Sequence, residues 1–128
     1  MDVHQAIREA EAVLPGVPAP EGQLDPRWQA IIAVGEFIES DPDAVWEFIR
    51  RWGVGKDEDL RDAIATCLLE HLLEHHFAAY FPLVEHLALS GGLFADTFRR
   101  CWQLGQAEEP ANAERFNAPR TRLSSELA

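Results

Sequence analysis

DEDLRDAIATCLLEHLLEHHF runs from Asp57 to Phe77, and the placing of its apolar residues decides the fold. At 100° per residue, Leu60, Ile64, Cys67, Leu68 and Leu72 form one arc, which Ala65, Leu69 and Leu73 widen, so a helix is predicted from about Glu58 to Phe77. An arc this broad needs neighbours on two sides. This is therefore the expected central helix, and Asp57, Glu58 and Asp59 at its start complement the positive end of the helix dipole.

Working outward, Asp25-Pro26 and Asp41-Pro42 each set a capping carboxylate before a proline, whose missing amide proton is harmless at the first helical position. One helix is predicted from there to about Ser40, with Trp28, Ile31, Gly35 and Ile38 on one face. The next buries Val45, Phe48, Ile49 and Trp52 and stops at Gly53. The short turn between them predicts an antiparallel pair. Downstream, a helix over Tyr80 to Leu89 tolerates Pro82 in its first turn only, and another over Leu93 to Leu104 is apolar at Phe94, Phe98, Cys101 and Trp102. No strand signal occurs. Three segments result: residues 1–24, a helical arm and Pro-rich linker; residues 25–106, the main helical domain; and residues 107–128, a weakly structured tail with at most a short helix near Asn112 to Ala118.

Hydrophobic residues make up 47% of the chain, enough apolar area to oppose chain entropy in a single domain. With 11 basic against 22 acidic residues the net charge is −11, which repels phosphate backbones and anionic lipid. Nucleic acid and membrane are not expected partners. The amino-terminal stretch MDVHQAIREAEAVL lacks the basic and apolar pattern of a secretory signal, no window reaches membrane-spanning length, and a cytoplasmic location is expected. Cys67 and Cys101 lie outside any CxxC pair and read as reduced core thiols.

DPRWQAIIAV, DEDLRDAIATC and GLFADTFRRC align with Ala30 over Ala63 and Thr97, and Ile31 over Ile64 and Phe98, at offsets of 33 and 34 residues. That period marks helix pairs stacked on one another. On Asp59, Leu60, Arg61, Ala63 and Ile64 the chain resembles the HEAT-like helical repeats of the armadillo-type group. The likeness spans about Asp25 to Gly105. Arg27 and Trp28 depart from it in the first copy, and Ala95 and Asp96 in the third. It implies an all-α fold of antiparallel helix pairs in a short α-solenoid or right-handed superhelix, whose usual work is to hold another protein.

His71, Leu72, Leu73, Glu74 and His75 have the spacing of the inverted zinc-peptidase motif, which they resemble. That likeness implies His71 and His75 as metal ligands and Glu74 as the group that activates water. A third ligand and a strand-rich frame are missing from the pattern, so structural histidines and no cofactor are expected. His76 and His86 complete a cluster of four, for which solvated histidines with no role are expected ahead of a pH-sensitive patch. No nucleophile with an adjacent base stands out, and no enzymatic activity is expected. HEAT-like proteins that repair DNA bases line a concave face with Lys and Arg, whereas Arg50-Arg51 and Arg99-Arg100 are the only basic pairs here. The remaining reading is a binding module for a basic protein partner, such as a toxin or nuclease, with Asp59, Glu70, Glu74 and Glu85 as an acidic stripe and Trp46 as an exposed anchor.

Overall fold

A computed structural model describes the backbone of residues 1–127 and the side chains of residues 1–122. The described residues are helical, joined by turns, with no strand among them: α1 (Val3–Val13), α2 (Pro26–Gly35), α3 (Pro42–Trp52), α4 (Glu58–Ile64), α5 (Glu70–Leu89), α6 (Leu93–Arg99) and α7 (Pro110–Leu127). A π-helical turn, Ala65–Leu69, joins α4 to α5 without interruption, and a 3₁₀ turn, Gly105–Glu108, precedes α7. An all-α fold is what the periodicity predicted.

The continuous α4–π–α5 helix is central. Of the remaining helices, α2, α3, α6 and α7 all pack on it. Helix α2 lies against α4 and the π turn, α3 and α6 run along the whole central helix from α4 to α5, and α7 lies against α5. Ile31, Ile64 and Phe98, the aligned positions of the three segments, are all fully buried. Tyr80 on α5 meets Trp46 on α3 at 6.3 Å, and Phe81 meets Phe116 on α7 at 6.5 Å.

Several helices differ from expectation for identifiable reasons. Residues 1–24 are no separate arm. Val3, Ala6 and Ala10 of α1 are buried in the common core, and two alanines on that face let α1 come close enough to be the nearest neighbour of α2. The expected partner α3 packs more on the central helix than on α2. Gly35 explains the close approach of α2 to the central helix, since a Cβ there would lie 3.1 Å from the Cys67 carbonyl. Asp25 caps α2 through the Arg27 amide, whereas the Asp41 side chain makes no cap and instead accepts from Ser40 Oγ.

The expected break between residues 77 and 80 falls at His76, whose φ of −138° and ψ of 44° leave the helical region. Its ring bonds the Ile38 carbonyl at 3.0 Å. Gln106 clasps the backbone groups on either side, donating from Nε2 to the His75 carbonyl and accepting the Phe77 amide, at 2.8 and 2.9 Å. Pro82 lies beyond the first turn after this kink, with an exposed ring. The residues expected to extend a helix to Leu104 leave it after Arg99. The expected weak tail is instead the helix α7, with Phe116 fully buried against Phe98 and Phe81.

Ion pairs tie α2 to α4 and α4 to α6. Arg27, 2% exposed, reaches Asp25, Asp57 and Asp59 at 3.2, 2.9 and 2.7 Å, and the Trp28 indole also donates to Asp59. Arg61, 34 residues on, pairs with Asp96 at 2.9 Å and donates to the carbonyls of Gly55 and Lys56. Arg100 shares Asp96. Burial alone would raise the Asp25, Asp57 and Asp96 carboxyls, but the arginines and, for Asp25 and Asp57, helix amides outweigh it and hold all three below the ordinary 3.8. Because the folded values are depressed, these groups stabilise the fold above pH 3.8, and that contribution is lost as pH falls through the folded values. Urea midpoints measured against pH are expected to fall steeply only below about pH 4.

Candidate functional site

Between α2 and the central helix runs a groove of about 410 Å³. Ile32, Gly35, Glu36, Ile38 and Glu39 line it from α2 and the turn after it, and Thr66, Cys67, His71 and His75 line it from the central helix. Ile32, one of these lining residues, is 46% exposed. Glu36 is exposed, and the Glu39 side chain is 79% exposed, so acidic groups edge an apolar base.

The histidines of this groove are held by carboxylates. His71 Nδ1 lies 2.8 Å from Glu74 Oε1, and His75 Nε2 lies 3.5 Å from the same oxygen. His75 Nδ1 lies 3.7 Å from Glu39. Glu74 thus sits between the two rings as a shared partner, in place of the water-activating position that the peptidase likeness implies. No group of three or more His, Cys, Asp or Glu among the described residues is arranged to hold a metal ion. The residues present do not fit a catalytic zinc centre. Cys67 is half-buried, and burial pushes its thiol up from 9.0, which favours the neutral form.

The acidic stripe does not assemble. Asp59 is spent on Arg27 and Trp28. Glu70 is 7% exposed and accepts the Trp102 amide at 3.1 Å. Glu85 is half-buried beyond the kink. Of the four, only Glu74 touches both the His71 and His75 rings that line the groove. The π turn accounts for this: it advances the chain by about one extra residue, so Glu70 turns inward from the polar side where a regular helix would put it. Trp46 is also not an anchor, being 6% exposed and packed between Tyr80 and Phe94. Glu36, Glu39 and Ile32 were the residues missed, and their spacing of four and three along one flank is the signal that identifies them.

Burial raises the Glu70 carboxyl above 4.5, despite the opposing hydrogen bond from Trp102. A raised carboxyl makes the ionised group a cost to folding above that pH. Glu70→Gln keeps an acceptor for Trp102 and removes the charge. Its melting temperature is expected to exceed wild type by about 3 °C at pH 7, and the gain should vanish below pH 4.5.

No family model matches the chain, and no curated protein or solved structure matches it either. No helix among the described residues is long and apolar enough to cross a membrane.

Proposed function

We propose that the protein is a non-enzymatic, cytoplasmic binding module of HEAT-like helix pairs, whose groove between α2 and the central helix takes a basic segment of a partner protein. The observation that carries this reading is an exposed Ile32 that shares one groove with the carboxylates of Glu36 and Glu39. A lysine or arginine side chain lays its aliphatic stem on apolar surface and keeps its charged head in polar surroundings. This groove offers both. The net charge of −11 adds long-range attraction, which chiefly accelerates encounter. Burial of the aligned Ile31, Ile64 and Phe98, one on each of three helices, supports the repeat reading.

A fluorescent Lys- and Arg-rich peptide should bind wild type with an affinity that falls about tenfold from low to high salt. The double change Glu36→Lys and Glu39→Lys should abolish binding. Glu9→Lys with Glu21→Lys, the same charge change at exposed sites outside the groove, should only weaken it. Equal losses in the two variants would show that net charge alone, and not the groove, attracts the peptide.

A further inference from the structure

Residues 1–98 carry six basic and 18 acidic side chains, whereas residues 99–128 carry five basic and four acidic ones. The arginines of α2, α3 and α4, together with Arg100, all have carboxylate partners within 4.0 Å. Arg99 and Arg120 have none among the described residues. Arg120 donates to the Arg99 carbonyl at 3.3 Å and lies 5.2 Å over the Phe116 ring, so its position is set without a carboxylate partner among the described residues. Beside them stands Trp102, 72% exposed and the largest apolar side chain on the surface. All three line a groove of about 460 Å³ on the α6–α7 side of the molecule.

Trp102 is held outward rather than left loose. Helix α6 ends at Arg99, and after the turn at Arg100 residues 101–104 belong to no helix. Cys101 is buried. The Trp102 amide is bound by the buried Glu70 carboxylate, and the Gln103 side chain is fastened to the Ala107 carbonyl at 2.8 Å and to Asn117 at 3.4 Å. A fixed backbone presenting an exposed indole in one groove with two guanidiniums that have no carboxylate partner among the described residues lowers the ordering cost of binding, and Trp and Arg are the residues that dominate interface energetics.

We propose that Trp102, Arg99 and Arg120 form a second docking surface, which takes a short acidic peptide segment of a partner protein. Carboxylates would pair with Arg99 and Arg120 in the bidentate geometry open to guanidinium, while an apolar side chain or proline of the segment covers Trp102. Charge complementarity selects this occupant. A nucleic acid strand carries phosphates far beyond the reach of two arginines and would run its remainder against the acidic part of the chain, whereas a short peptide need meet only the basic end. This surface is independent of the α2 groove, which has the opposite charge.

The test is fluorescence anisotropy of a short labelled peptide alternating Glu with Leu and Pro, with a single-stranded oligonucleotide as competitor. Wild type should bind the peptide at low salt. Arg99→Glu with Arg120→Glu should weaken it by more than tenfold, and Trp102→Ala by about tenfold. If charge reversal disturbs folding as judged by circular dichroism, Arg99→Gln carries the same test with a loss of several-fold. Lack of peptide binding to wild type, equal binding by the variants, or tighter binding of the oligonucleotide would each overturn the proposal.

Discussion

Replacing Arg27 by methionine is expected to cost about 3 kcal/mol of stability at pH 7, the lower end of what breaking a buried ion pair costs. Methionine fills much of the same volume, so packing changes little. What changes is electrostatic: Asp25, Asp57 and Asp59, now within 3.2 Å of one guanidinium, are left facing one another. Arg27 is buried, but the Asp57 and Asp59 side chains are 29% and 43% exposed, and water relieves part of the repulsion. The Pro15 carbonyl also loses its donor, which frees the linker after α1. Urea unfolding at pH 7 and pH 3.5 checks the mechanism. The difference from wild type should shrink at the lower pH, where Asp25 and Asp57 of the variant, no longer held down by arginine, take up protons. A loss below about 1 kcal/mol at pH 7 would mean that the α2–α4 ion pairs are as weak as ordinary surface pairs.

Phe116→Ala is expected to cost a similar 3–4 kcal/mol. The ring is fully buried, 5.3 Å from Phe98 and 6.5 Å from Phe81, and the Arg120 guanidinium lies over it. Truncation leaves a cavity at the meeting of α5, α6 and α7. Asn117→Ala, one residue further on the exposed side, should cost under about 1 kcal/mol. Chemical denaturation of both variants distinguishes a helix integral to the fold from an appendage, since an appendage would lose little in either.

The core was legible because it follows regular periods. Helix starts at Asp25-Pro26 and Asp57 carry their own capping chemistry, the proline of Asp41-Pro42 marks a third, and the interval from Ile31 to Ile64 to Phe98 places a buried side chain on each of three helices. What escaped was irregular or non-local. A π turn cannot be read from a plot that assumes one angle per residue, and it alone moves Glu70 from solvent to the interior. The two tryptophans exchanged roles because of their neighbours: Trp46 is covered by Tyr80 and Phe94 from other helices, while Trp102 lies beyond the early end of α6. Helix α7 shows little amphipathic pattern, since it anchors largely through Phe116 and Pro119.

The groove lay in the same blind spot. His71 and His75 draw the eye as a metal motif, yet their imidazoles share Glu74 and form one wall of a cleft whose other wall, Ile32 to Glu39, comes from the end of α2. Its chemistry is the meeting of an exposed apolar side chain, Ile32, with the carboxylates of Glu36 and Glu39, and it depends on Gly35 letting α2 approach the central helix.

Amide chemical-shift mapping with a Lys- and Arg-rich peptide tests that groove most directly. On titration at low salt, the perturbed amides are expected to cluster at Ile32, Glu36, Glu39, His71 and His75. Shifts scattered over the acidic surface, or gathered around Asp59 and Glu85 instead, would contradict it.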